Sequence, residues 1–443
     1  MSDLLLSYYG DDFTGSTDVM EALASNGVPT VCFLGIPSAD MRARFADCRA
    51  IGIAGTSRSQ TPAWMEAELP PVFRWLKAQG AALTHYKVCS TFDSAPGIGN
   101  IGRAIEIGRR VFAQEMVPVV VGAPQLRRYT AFGHLFAAYQ GRIYRIDRHP
   151  VMSRHPVTPM DEADLTLHLG RQTSLPIGLI DLVALARDAD AGLSDARAEG
   201  QAITLLDVDD AASQQAAGEA LWHECAANGA FIAGSSGVEY ALLHAWRRSG
   251  LATGPASFSP PSAVERMAAV SGSVSPTTER QIRAALADGF EGIAVDPLAL
   301  VAEDGAAAIE AAVSEATAGL KAGRSVLVYT ALGPEADRGS EIDRVPQARH
   351  RLGIRLGTIL RRLVEAEGLT RAVIAGGDTS SHALKELGIE ALTTRLPLPQ
   401  TPGSPLCTGH GSDAATNGLE IALKGGQVGM DDYFSQIRAG RAA

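Results

Sequence analysis

Several absences narrow this sequence before any motif does. No apolar run approaches the roughly 20 residues that a membrane-crossing helix needs. The opening "MSDLLLSYYGDD" has no basic flank, and its apolar run is too short for a secretory leader. Cysteine is sparse: the 443 residues hold five. Cys32, Cys48, Cys89, Cys225 and Cys407 are far apart and lack a metal-type spacing, which excludes a disulfide framework and fits reduced thiols in a cytoplasmic protein. Positive charge is also in deficit. A net charge of −10 argues against nucleic acid as a partner, although a local pocket on an acidic chain can still be positive. There is no G-x-x-x-x-G-K-[ST] loop, and no strand is followed by the dinucleotide fingerprint with its acid about 20 residues on, which disfavours an NAD-dependent dehydrogenase.

What is present is core-forming material in an alternating order. Hydrophobic residues make up 46% and charged residues 20%, so the chain builds substantial cores and is long enough for two domains. "LLLSYY" reads as a strand. "TDVMEALASNG" then sets Val19, Met20, Ala22 and Leu23 at helical spacing, with Gly27 at its C-terminal cap, and "PTVCFLG" reads as a second strand. Short apolar runs recur in "AIGIAG", "LTHYKV", "VPVVVGAP", "IGLIDL", "AITLLDV" and "GAFIAGSSG", with helical stretches between several of them. The Gly, Ser and Pro cluster at 249–264 interrupts the alternation and predicts a linker between domains at 1–248 and 265–443. Beyond it the pattern resumes. The expected class is α/β, with two mostly parallel sheets flanked by helices.

Three segments of the C-terminal half run from an apolar strand into a small-residue loop. In "AAVSGSVSPTTERQI", Ser275 is placed to cap a helix that starts at Pro276, and Ser273 precedes it. In "RAVIAGGDTSSHALKEL", Gly376 and Gly377 admit a ligand close to the backbone, and Thr379 is expected to cap the helix of Ala383, Leu384 and Leu387. "ALKGGQVG" supplies Lys424, Gly425, Gly426 and Gly429. Such loops gather at the carboxyl edge of a parallel sheet, where free N–H groups bind anions. One loop alone is a well-capped turn; three in one domain predict a nucleotide or phosphate site.

The N-terminal half carries polar side chains directly after its strands. "GDDFTGSTD" sets Asp11 and Asp12 at a helix start, where one cap requires one acid. "GTSRSQTP" offers Ser57 and Arg58, and Arg is suited to a two-pronged grip on a carboxylate. "HYKVCSTFDS" adds Lys87, Ser90, Thr91 and Asp93. "MSRHPVTPM" holds Arg154 and His155 in a stretch unsuited to regular helix, without the spacing of a zinc motif.

Taken in order, "GDDFTGSTD", "KVCSTFDS…GNIG", "SRHPVTPM", "VSGSVSPTTERQI", "AGGDTS" and "ALKGGQVG" resemble the four-carbon acid sugar kinases, from residue 10 to about residue 434. The resemblance implies ATP-dependent phosphorylation of a short acid sugar, bound by the N-terminal domain, with ATP on the C-terminal domain and the reaction in the cleft between them. It implies ATP contacts at Ser273 or Ser275, Gly376, Gly377, Asp378, Thr379 and Gly426. Substrate contacts fall to Asp11, Asp12, Ser57, Arg58, Lys87, Ser90 and Thr91. "CSTFDS" stands where much of the family has D-S-T-L-R-G, and is similar to the 3-oxo-tetronate kinase branch. "SYYGDD" and the basic "YRIDRHPVMSRHPVTPM" are closer to kinases of 3-oxo-isoapionate. D-threonate and D-erythronate are the alternative acids, and a non-catalytic sugar-acid-binding protein is the alternative of another class.

The mechanism expected from this gives the glycine loops and Lys424 to the nucleotide phosphates, with Mg²⁺ bridging them. Arg58 and Lys87 take the substrate carboxylate. Asp12 is the base, Asp11 orients it or binds water around the metal, and Asp93 is held in reserve. The linker is the expected hinge, and a homodimer, including one with exchanged domains, is the expected assembly.

Overall fold

The recurrent apolar runs pair side by side, and all but those at the edges bury both faces beneath helices. The computed structural model describes residues 3–441 except 156, 402 and 427, with backbone alone for 227–228 and 378–381. The chain forms two compact units: Met1–Thr30 with Phe45–Ala256, and Val31–Arg44 with Ser257–Ala443. The change of unit falls within the expected linker, where 249–264 holds no helix or strand.

The strands in chain order begin with β1 (Leu6–Gly10), β2 (Thr30–Phe33), β3 (Ala50–Ala54), β4 (Leu83–Lys87) and β5 (Val117–Val120). They continue with β6 (Arg128–Ala131), β7 (His134–Tyr139), β8 (Arg142–Arg145), β9 (Ile177–Ile180), β10 (Ile203–Leu206) and β11 (Phe231–Gly234). In the first unit the order is β3-β1-β4-β11-β5-β10-β9, and every pair is parallel. The core on one face joins Tyr9, Phe73, Tyr86, Ile105, Val119 and Phe231. The chain leaves β1 toward β3 on one side and returns to β4 on the other. This makes the carboxyl end of β1 a topological switch point, the place where open parallel sheets bind ligands.

The second unit contains β12 (Ala268–Ser271), β13 (Glu291–Ala294), β14 (Val326–Tyr329), β15 (Arg371–Ala375), β16 (Ile389–Leu396), β17 (Leu406–Gly411) and β18 (Glu420–Lys424). Its parallel part runs β13-β14-β12-β15-β18. The switch point there is the carboxyl end of β12. The antiparallel strands β17, β16 and β2 extend the sheet.

Two features depart from the sequence reading. Residues 31–44, expected in the N-terminal domain, cluster with the second unit, because Val31, Cys32 and Phe33 pair with Thr393, Leu392 and Ala391. A separate antiparallel meander, β6-β7-β8, lies in the first unit where no strand was expected. Its outer strands β6 (RYTA) and β8 (RIYR) are short, arginine-containing and without an apolar run; only β7 (HLFAAY) carries one. Among the described residues no helix is long and apolar enough to cross a membrane.

Candidate active site residues in the two units

In the first unit, the ends of β1, β3 and β4 are tied together just beyond their last pairs. Asp11 N–H donates to the Lys87 carbonyl at 2.8 Å, Gly55 N–H to Gly10 at 2.9 Å, and Arg58 N–H to Asp11 at 3.0 Å. The two aspartates then take different roles. Asp12 caps the helix Phe13–Ser25, its Oδ1 accepting from Gly15 N–H at 2.7 Å, while its Oδ2 meets Arg58 Nη1 at 2.7 Å. Asp11 turns inward and is gripped side-on by Arg58, with Nε at 3.2 Å and Nη2 at 2.9 Å. Burial raises the Asp11 carboxyl to about 6, against the pull of the Arg58 charge. Asp12 keeps 29% of its side chain exposed, so of the pair it is the acid that a ligand can reach.

Lys87 is 2% exposed at the end of β4. Among the described residues its ammonium faces one carboxylate, Asp18 at 3.9 Å, and has no hydrogen-bond acceptor. It lies against the first turn of the helix Phe13–Ser25, where a Cβ on Gly15 would come within 2.9 Å of Nζ and 2.5 Å of Asp12 Oδ1. A side chain at Gly15 would therefore displace the Asp12 cap or the Lys87 ammonium. Asp18 in turn accepts a hydrogen bond from Ser236, in the loop after β11.

The remaining expected residues divide. Ser57 is fully buried and shares a hydrogen bond with Tyr86 at 3.0 Å, so its hydroxyl props the Arg58 turn from inside. Thr91 donates to Asp93 at 2.6 Å, and Thr158 donates to its other oxygen at 3.1 Å. Burial alone would raise Asp93. The Arg58 charge and these hydroxyls outweigh it and hold the carboxyl below its ordinary value, which makes Asp93 a poor proton acceptor. His155 joins this group through Thr158, whose N–H it accepts at 3.1 Å. Ser90 is half-buried beside the cluster, and Arg154 stays exposed outside it. Arg58, expected to hold a ligand carboxylate, has its two-pronged edge on Asp11 in this structure.

In the second unit the three expected loops do converge, because β12, β15 and β18 are neighbours. Gly272 N–H donates to Ala375 and Gly376 N–H to Lys424, at 3.1 and 2.8 Å. Ser275 caps the helix Pro276–Ala287, accepting from Thr277 N–H at 3.1 Å, and its hydroxyl donates to the Gly426 carbonyl. Ser273 and Thr278 share a hydrogen bond at 3.0 Å.

The helix Gly377–Glu386 starts earlier than expected: Gly376, at φ +123°, is its cap, and Thr379 falls inside its first turn. The side chains of Asp378 and Thr379 lie outside the described residues, as does Gln427.

Lys424 also departs from expectation. It is 1% exposed and its ammonium donates to the Gly425 carbonyl at 2.8 Å and to Thr278 at 3.1 Å, with Val428 at 3.5 Å. Burial lowers its pKa to about 7. It fastens the loop from within. Ser275 already takes the N–H groups of Thr277 and Thr278, so what the loops offer an anion is main-chain N–H at the start of the helix Gly377–Glu386.

Sequence reasoning missed Asp18, Tyr86, Thr158 and Ser236. Ser236 had a readable signal, since "GSSG" after β11 repeats the small-residue pattern of the other loops. Asp18 had none, because its partners Lys87 and Ser236 are distant in sequence, and the tie of Thr158 to Asp93 is distant too.

Family models match both parts of the chain: a sugar-binding N-terminal domain over residues 6–242 and a nucleotide-binding C-terminal domain over residues 268–434. The chain is 47% identical to a 3-oxo-isoapionate kinase of Paraburkholderia graminis, over 99% of this chain and 95% of that protein. It is 32% identical to a 3-oxo-tetronate kinase of Methylobacterium radiotolerans, over 98% of each. Solved structures from Haemophilus influenzae and Salmonella typhimurium have TM-scores of 0.74 and 0.77 at 24% identity, over 98% of this chain and 99% and 98% of theirs, and share its fold.

Proposed function

The chain belongs to the four-carbon acid sugar kinase family, and from that premise we propose that it transfers the γ-phosphoryl group of ATP to a hydroxyl of a short 3-oxo sugar acid. The favoured acid is of the 3-oxo-isoapionate type, since the relative of that name shares 47% identity against 32% for the 3-oxo-tetronate kinase above. The observation that carries this reading is Lys87. A buried ammonium with one carboxylate at 3.9 Å, set against the helix start that Asp12 caps, is a cation poised for an anionic, hydroxylated ligand.

In this reading Asp12 takes the proton of the attacking hydroxyl as its oxygen bonds to phosphorus and ADP leaves. Asp11 orients Arg58, and Arg58 fixes the Asp12 carboxylate. Lys87 neutralises charge on the substrate, with Ser90 and Thr91 beside it. On the second unit, Ser273, Ser275, Gly376, Gly377 and Gly426, with Asp378 and Thr379, surround the ATP phosphates.

The residues suit a metal that arrives with the nucleotide. Among the described residues no three acids, histidines or cysteines are grouped to hold an ion, and Mg²⁺ typically takes one or two carboxylates plus phosphate oxygens and water. Asp12 is the reachable carboxylate, and Mg²⁺ would supply charge neutralisation on the phosphates. We place the active protein in the cytoplasm as a homodimer, including exchange of domains through 249–264, which light scattering checks.

The test is ADP release with ATP and Mg²⁺ against 3-oxo-isoapionate, 3-oxo-tetronates, threonate and erythronate. Turnover is expected with the 3-oxo acids above all. ADP release with none of them removes the reading.

A further inference from the structure

Arg58 spends its two-pronged edge on Asp11 in this structure. The first unit has a second arginine at the same edge of the sheet. Arg128 opens β6, and its backbone pairs both ways with Ala123, just past the carboxyl end of β5, at 2.9 and 3.1 Å. Its side chain is half-buried. Nη1 donates to the carbonyls of Leu126 and Arg127, at 3.0 and 3.2 Å, which fixes the plane of the guanidinium.

The other edge is unused. Nε is buried without a partner, and among the described residues neither Nε nor Nη2 has an acceptor and no carboxylate pairs with the group. That edge, Nε with Nη2, is the one by which Arg58 grips Asp11. Burial without a counter-charge lowers the Arg128 pKa, with Arg127 adding repulsion, while Cys89 and Tyr129 act the other way. His149 also feels the Arg128 charge. Cys89 places Arg128 relative to the cluster. It follows β4 directly, lies within electrostatic reach of Arg58, Lys87 and Asp93 as well as Arg128, and accepts from Thr91 at 2.9 Å.

A fixed, half-buried guanidinium with an unpaired bidentate edge is uncompensated until an anion arrives. We propose that Arg128 is the specificity residue that clamps the carboxylate of the sugar acid through Nε and Nη2, with Lys87 on the acid's other side. The inference rests on the first unit being the acid-binding one. Sequence reading gave it no weight, because "LRRYT" resembles any basic turn.

The experiment compares Arg128→Met and Arg128→Lys with the parent, using titration calorimetry with erythronate and its uncharged counterpart erythritol, and kinetics with the best acid. In Arg128→Met, affinity for erythronate and KM for the acid should each worsen about 10- to 100-fold. Erythritol binding and KM for ATP should be unchanged, and Arg128→Lys should fall between. Equal losses for erythronate and erythritol, or no loss for the acid, overturn the assignment. Calorimetry needs no turnover, so a parent that binds erythronate but releases no ADP with any acid refutes the kinase reading and still decides Arg128. A parent that binds no acid removes both. If Arg128→Met fails to fold, Arg128→Lys alone decides by the same ratio.

Discussion

Arg58→Met should destabilise the first unit by an amount that depends on pH in a calculable way. In the parent, Asp11 is 3% exposed and titrates at about 6 even with Arg58 on both of its oxygens. An unfolded aspartate titrates near 3.9, so folded Asp11 holds its proton longer, and stability falls as pH rises from about 4 to the folded value. Removing Arg58 takes away the charge and the hydrogen bonds that pull this value down, so in the variant the fall continues above 6.

Between 6 and the variant's new value, the parent and the variant should therefore diverge by about 1.4 kcal/mol per pH unit. At pH 8 this amounts to about 2.7 kcal/mol, near the ~3–5 kcal/mol typical of stripping one partner from a buried pair. Arg58 is itself 24% exposed at the side chain, which favours the lower end. Below pH 6 the part-buried contact with Asp12 is lost, worth ~0.2–1 kcal/mol, together with the pull of Arg58 on Asp93. Urea melts at pH 5.5, 7 and 8.5 measure this, followed by tryptophan fluorescence. All four tryptophans (Trp64, Trp75, Trp222 and Trp246) lie in the first unit, so the signal reports that unit alone. A difference that stays flat with pH, or is below about 1 kcal/mol at pH 8, would refute the assignment of Asp11 as a buried acid restrained by Arg58.

Two further outcomes follow from the same geometry. Asp12→Asn keeps a competent helix cap, since asparagine caps about as well as aspartate; kcat should fall more than about 100-fold while KM for ATP holds, and a loss under about tenfold sinks the base assignment. Lys424→Met removes a group whose folded pKa of about 7 lies below that of an unfolded lysine, near 10.4. The parent's second unit should gain stability as pH rises from 7 toward 10, and the variant should lack that slope in calorimetric melts followed apart from the tryptophan signal; parallel slopes exclude Lys424 as its source.

The sequence by itself determined the alternation of strand and helix, and with it where the ligand loops begin. Period and composition are local properties, and "LLLSYYGDD", "AAVSGSVSP" and "RAVIAGG" carry their apolar run and their small-residue exit in one stretch. It also determined which side chains stand at those exits, so Asp11, Asp12, Arg58, Lys87, Ser273, Ser275, Gly376 and Gly426 were all legible. Strands whose burial depends on a distant partner were not. β16 and β17 are flanked by prolines, and β6 to β8 are half-exposed.

Only the tertiary structure decided what each side chain faces. It turned Asp11 onto Arg58 and left Asp12 at the surface. It buried Ser57 and Lys424 inside the loops they had been expected to line. It left Lys87 and Arg128 with unused donors. A charge's role depends on its counter-charge and its exposure, and both come from segments tens of residues away. Arg58 and Arg128 look alike in the sequence; the fold supplies a carboxylate to one and withholds it from the other.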